Sequence, residues 1–476
     1  MSHDDLESLN SPEQESPYVG LSAFEEHQAK YFFGRERDIR LISDNLRAHR
    51  LTILYGPSGV GKSSVLQAGV MSYLKGFLQK RKHLKPSKLI FFNNWRDNPH
   101  EDLCQELSRA FGLPEQELSN LNLFGVVKYI NQDLDQQVYL LLDQFEEYFL
   151  YHQEDIHNPQ SFAYQLVQLC NESQLNINLL ISLREDGFAL LDRFKGSIPS
   201  LFDNYLRLDK LDRASASRAI RGPLEEYEKE YGQKIALDDT LLEAVLDGIN
   251  AAKVAEAQGG FLQARAEDEY EAPLLQLIMQ RLWQDAEGQP VIHLQHERLQ
   301  ALGGAQGLIQ QHFSKVMQSF DPATQKICAR IFKMLVTASR SKIAHSLEDL
   351  AKETLTSEQE MQKLLIELSS GKNRILRALP NQKYEIYHDT LANAIYLWRS
   401  NFEAKEEEAK KLEEKLEEER QAQREREQVL REAQLDAEAK LKERQFKLQR
   451  RISWLVGLLA ALAVFLPLDF IKVIRL

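Results

Sequence analysis

Cysteine is scarce: 476 residues contain three, Cys104, Cys170 and Cys328. They form no C-x-x-C pair, and any pairing leaves one over, so a disulfide framework is excluded and reduced thiols are expected. No cluster of cysteines and histidines has metal-ligand spacing, which sets aside a zinc fold. Positive charge is also in deficit. The chain has 59 Lys and Arg against 71 Asp and Glu, a formal net charge of −12. Such a balance does not invite sequence-independent binding to DNA, and no direct nucleic-acid partner is expected. No apolar signal follows a basic start, and residues 1–16 read as a short disordered acidic leader. A chain of this length is too long for one core, so two to four domains are expected.

What is present is most informative between Leu51 and Val70, LTILYGPSGVGKSSVLQAGV. A short apolar run leads into Gly56, Pro57, Ser58, Gly59, Val60, Gly61, Lys62, Ser63 and Ser64, and an apolar helical pattern follows. That is strand, glycine-rich loop and helix, a full G-x-x-x-x-G-K-S match in the context the motif requires. The glycines let successive backbone N–H groups turn inward toward phosphate oxygens. Lys62 is expected to reach the β- and γ-phosphates and Ser63 to ligate Mg²⁺. The helix start adds the positive end of its dipole. A nucleoside triphosphate is therefore the expected ligand.

A second apolar run, Val138 to Leu142, ends in Asp143-Gln144-Phe145-Glu146-Glu147. An Asp at the carboxyl end of a buried parallel strand lies where open α/β sheets bind ligands, so Asp143 is expected to hold Mg²⁺. Glu146 or Glu147 then stands as the residue that polarises the attacking water; both also suit the acidic first turn of a helix. A third run, Ile177 to Leu183, ends in Arg184. Its guanidinium either senses phosphate charge or pairs with Glu146 or Glu147.

Periodicity divides the chain further. Residues 17–210 alternate strands and helices, as in a doubly wound, mostly parallel α/β P-loop NTPase core. Residues 211–330 read as a helical bundle, and 331–402 as helices, a hairpin turning at Asn381-Gln382-Lys383, and a helix, which suits a winged helix. Residues 403–451 change abruptly to Glu, Lys, Arg, Gln and Ala, with i,i+4 pairs such as Glu407/Lys411. The apolar residues there keep no clean heptad, leaving either a weak coiled coil or a single charged helix. Trp454 to Leu468 is almost wholly apolar, and 452–472 is read as a transmembrane helix. Lys447, Arg450 and Arg451 before it favour a single-pass topology with the NTPase domains in the cytoplasm.

The segments PYVGLSAFEEHQAKYFFGRERDI, GPSGVGKSS, LLLDQFEEYF, LLISLRED, EAPLLQLIMQRLWQDA, ALGGAQGLIQQHF and YEIYHDTLANAIYLW occur in that order. Together they resemble the STAND class of signal-transduction NTPases, related to AAA+, NACHT and NB-ARC proteins, and specifically its bacterial novel STAND branch. The resemblance covers roughly Pro17 to Phe402. It implies that Phe33, Gly34 and Arg35 pack on the adenine side of ATP or ADP, and that Pro273 touches the base. It implies that His388, in Tyr387-His388-Asp389, reads the β-phosphate of ADP; from the residues alone a core or capping histidine is the commoner use. It also implies an ADP-held closed state, ATP-driven homo-oligomerisation, a separate sensor or effector protein, and a bacterial defence role, which the apolar C-terminal segment would place at the inner membrane. The lack of an N-K-x-D element likewise points to adenine over guanine. A constitutive ATPase motor and a non-hydrolysing scaffold are the alternatives.

Overall fold

Strands that are apolar throughout cannot turn one face to water, and here they become a parallel sheet covered on both sides. In the computed structural model β1 (Leu51–Gly56), β2 (Ser87–Phe92), β3 (Gln137–Leu142), β4 (Ile177–Arg184) and β5 (Tyr205–Arg207) lie in the order β2-β3-β4-β1-β5, every pair parallel. The structure describes residues 15–81, 85–96, 98–113, 121–152, 158–257, 269–286, 291–337, 343–369, 375–379, 382–387 and 389–465.

Alternate residues of each strand feed opposite layers. Ile53, Leu140, Leu142, Leu179 and Ile181 pack with the helices Pro99–Phe111, Leu123–Gln132 and Phe162–Asn171. Leu54, Leu141 and Leu180 pack on the other side with the helix Glu36–Ala48 and the helical run that follows the glycine-rich loop. That run starts as a short α-helix, Lys62–Ser64, widens to a π-helical stretch, Val65–Met71, and resumes as Ser72–Lys80. Side chains set the helix starts: Asn98, Asn122 and Ser161 each accept a backbone N–H three residues on, satisfying a donor with no partner inside the helix.

β1, β3 and β4 coincide with the three expected runs, β2 falls within the expected alternation of strands and helices, and β5 adds a fifth strand. Its three residues alternate exposed, intermediate and exposed, so no apolar run announces it. Helices dominate 211–330 as the periodicity predicts, but β6 (Ile235–Leu237) and β7 (Ile292–Leu294) pair in parallel among them. Strands of three residues are too short to disturb a helical pattern. Beyond them come the helices Pro322–Leu335, Leu347–Thr354 and Glu358–Ser369 and an antiparallel sheet, order β8-β10-β9, of β8 (His345–Ser346), β9 (Leu376–Leu379) and β10 (Lys383–Ile386). Of the expected turn, Gln382 has φ 52° and Lys383 opens β10, while Asn381 lies outside the described residues.

Contacts divide the chain between Ser400 and Asn401. The first unit holds the sheet, the helices and the β9–β10 hairpin. The helix Asp389–Phe465 supplies all described residues of the second unit, and from 403 to 461 every one of them is exposed. Among the described residues no helix is long and apolar enough to cross a membrane. Residues 466–472 of the expected span, residues 1–14 of the expected leader, and His388 lie outside the described residues.

Candidate functional site

β1 ends in Gly56, where a side chain cannot fit: a Cβ would stand 2.4 Å from the Leu208 carbonyl oxygen. The loop then turns through Gly61 at φ 96°, a left-handed conformation that favours glycine. Lys62 is buried, and its Nζ donates to the carbonyls of Gly56 (2.9 Å) and Pro57 (3.1 Å). Burial pulls its pKa down, against the opposing fields of Glu146 and Asp143. The ammonium is thus folded against its own loop.

The rest of the loop is tied from outside. The Val60 carbonyl accepts from Arg35 Nη2 at 2.9 Å, while Arg35 Nη1 pairs with Asp38 at 2.9 Å. Burial lowers the Arg35 pKa. Ser64 Oγ accepts the Phe24 N–H at 3.1 Å. Both contacts pin the segment before β1 to the phosphate loop.

Beside the loop opens a cavity of about 450 Å³ lined by Ser58, Gly59, Gly61, Lys62, Ser63 and Ser64, and by Asp143, Glu146, Glu147 and Arg184 from the ends of β3 and β4. These residues are far apart in sequence; the parallel sheet brings them to one edge because all its strands end on the same side. Asp143 is 0 % exposed, and neither carboxylate oxygen has a hydrogen-bond partner. A buried carboxylate without a partner is costly, so its position is explained best by a cation that arrives with the ligand. Among the described residues no group of three or more His, Cys, Asp or Glu could hold a metal. Mg²⁺ bound with phosphates needs only one or two protein oxygens, and Asp143 with the Ser63 hydroxyl fits that requirement.

The Asp143 backbone is held on both sides. Its N–H donates to Phe92 (2.8 Å), and its carbonyl accepts from Trp95 Nε1 (2.7 Å). Trp95 meets Phe92 and Phe145 edge-on, each at 5.0 Å between ring centroids. Sequence reasoning missed Trp95; the available signal is an indole just past the end of a core strand, next to asparagines that also line the cavity.

Glu146 Oε2 accepts the Arg184 backbone N–H at 3.1 Å. Burial raises its pKa, and Lys62 and Arg184 counter that rise. A carboxyl moved toward neutral pH suits a general base. Glu147 lines the same cavity. The Arg184 guanidinium pairs with Asp186. Asp186 lies two residues on in the same loop, and Glu146 is taken up by the backbone. Arg184 Nη1 donates to the Ala378 carbonyl in β9 at 3.4 Å. The opposite wall of the cavity is the hairpin itself, through Leu376, Arg377, Ala378, Tyr384 and Tyr387, with Arg377 paired to Glu385.

A smaller cavity of about 40 Å³ lies on the other side of the loop, lined by Phe33, Arg35, Val60 and Gly61 and by Phe24, Leu275 and Gln276. Phe33 and Arg35 therefore stand together at the loop. Gly34, at φ 86°, serves to turn the chain between them. Pro273, in the first turn of the helix Ala272–Ala286, lines the larger cavity, and Gln276, one turn on, lines the smaller.

Among solved structures, the chain is similar to Aeropyrum pernix ORC1 in complex with DNA, at 15% identity over 76% of this chain and 92% of that one, with a TM-score of 0.42. It is similar to the ORC2 protein of the same organism in ADPNP-ADP complexes, at 12% identity over 78% and 94%, TM-score 0.43. The Walker-type ATPase of Pyrococcus abyssi matches at 17% identity over 79% and 99%, TM-score 0.38. Scores this low carry nothing about ligands or assembly. A search of curated proteins gave no match. The model of the family Novel STAND NTPase 1 matches residues 17–430, most of the chain and the whole of the site. The chain belongs to the Novel STAND NTPase 1 family, and is a P-loop NTPase.

Proposed function

We propose that the chain is an ATP-binding signalling switch of the STAND type, in which a winged helix reads the nucleotide through Arg184. One observation carries this reading: the cavity beside the phosphate loop has the catalytic edge of the sheet as one wall and the β9–β10 hairpin as the other, and Arg184 touches both. A nucleotide seated there contacts two parts of the chain at once. It can favour one arrangement over another only through such differential contacts. ADP holds the closed arrangement, with His388 toward the β-phosphate as the resemblance implies. ATP, with its additional phosphate near Arg184, withdraws the guanidinium from Ala378 and frees the surfaces through which copies assemble. Glu146 orients water for a slow hydrolysis that resets the switch. Adenine is the base, with Phe33, Arg35 and Gln276 around it.

Arg184→Ala tests the latch. A hydrogen bond from a charged donor contributes about 1.5–3 kcal/mol, so ADP should leave roughly tenfold faster or more, followed with a fluorescent ADP analogue. An unaltered release rate sinks the reading of Arg184 as the link.

The apolar segment that starts near Trp454 is proposed as a single-pass anchor in the bacterial inner membrane, with Lys447, Arg450 and Arg451 keeping the NTPase in the cytoplasm. Full-length chain should then remain in carbonate-washed membranes. Recovery in the soluble fraction without detergent removes the anchor and leaves the switch standing.

A further inference from the structure

The charged helix keeps no heptad, but it keeps a period of eleven. From Glu419 it reads ERQAQREREQV, LREAQLDAEAK and LKERQFKLQRR, then ISWLVGLLAA. The first positions of the last three blocks are Leu430, Leu441 and Ile452, and the eighth are Ala437, Leu448 and Leu459. The fifth positions of the first three are Gln423, Gln434 and Gln445. Apolar residues thus alternate steps of seven and four, which places them on one stripe of a helix with about 3.67 residues per turn. Such a stripe runs nearly straight along an α-helix and suits a right-handed or straight pairing, where a heptad would wind to the left.

Nothing in the described chain covers the stripe: Leu430, Leu441, Leu448, Ile452 and Leu459 are 62%, 58%, 60%, 52% and 66% exposed. The charges beside it select the partner. At about 100° per residue, the second and seventh positions of the block lie about 110° to either side of the stripe. The seventh positions carry Glu425, Asp436 and, in the last block, Lys447, and the second carry Arg420, Arg431 and Lys442. In a parallel, in-register pair the seventh position of one helix meets the second position of the next block on the other. Glu425 then faces Arg431, and Asp436 faces Lys442. In an antiparallel pair each flank meets itself, and the basic column of Arg420, Arg431 and Lys442 is repelled by its own copy.

We infer that residues 430–461 form a parallel, in-register docking surface for a second copy of this chain. The stripe lies almost wholly beyond the family match, which ends at residue 430, and shares no residue with the phosphate site. The pairing sets two copies side by side in the same direction, with the apolar ends of both helices at the same end of the pair.

Cysteine crosslinking of the full-length chain tests this. Leu430→Cys and Leu448→Cys, made separately, should each give disulfide-linked dimers at least tenfold above Glu443→Cys, which lies on the opposite side of the helix. The parent chain, whose cysteines are buried or partly so, sets the background. Crosslinking at only one of the two stripe positions means an antiparallel pair and overturns the inference. Crosslinking at neither means that lipid or another protein covers the stripe, and equal yields at all three positions mean collision; either result overturns it. Both stripe variants should crosslink within about twofold of the same yield when Lys62→Ala is added. Loss of the crosslink there overturns pairing as a property of the stripe, whereas failure of the switch alone leaves the crosslink in place.

Discussion

Lys62→Ala is expected to lower the affinity for both ATP and ADP by roughly tenfold to a hundredfold, measured by calorimetry. Lys62 is the mobile cation of the phosphate loop, and it is already desolvated, so little water has to be stripped from it when phosphate arrives. Two of its donors are turned to the Gly56 and Pro57 carbonyls, and phosphate binding exchanges those neutral acceptors for charged ones. A charged hydrogen bond contributes about 1.5–3 kcal/mol, which sets the expected range. The same substitution leaves two carbonyls short of a donor, so a modest loss of thermal stability should accompany it. Lys62→Met keeps the apolar stem and separates the effects: affinity falls as in the Ala variant, with less lost in packing. Unchanged affinity in both variants would falsify the phosphate-site reading.

Asp143→Asn should move function and stability apart. The side chain has no hydrogen-bond partner and no exposure, so removing its charge takes away a desolvation penalty and no internal bond. The thermal midpoint without nucleotide should therefore not fall. The Mg²⁺-dependent part of ATP binding should fall by at least tenfold, because the amide is a far weaker metal donor than the carboxylate. Glu146→Gln is the contrast: binding should persist and turnover should drop, since the amide can still accept from the Arg184 N–H but cannot take a proton. An Asp143→Asn chain that binds Mg²⁺-ATP like the parent removes the metal role. A large loss of stability would show that the carboxylate has a structural partner.

The phosphate loop, the strand that feeds it, and Asp143, Glu146 and Arg184 at strand ends were legible from the sequence. Each is marked by a local pattern, an apolar run closed by a glycine-rich turn or by charge, and a parallel sheet necessarily gathers such ends on one edge. The three-residue strands β5, β6 and β7 were not legible, because hydrogen bonds to distant strands, and no pattern of their own, make them strands. The eleven-residue period is present in the sequence, but its steps of seven and four never repeat as a heptad. What the sequence determined by itself is the chemistry of the site, since motif spacing is a property of neighbouring residues. The tertiary structure alone decided who guards that chemistry. Trp95 holds the Asp143 carbonyl across 48 residues of chain, and Arg184 reaches Ala378 across 194. No local preference encodes either contact; each exists because packing of separate elements brings a donor to an acceptor that neither segment could specify alone.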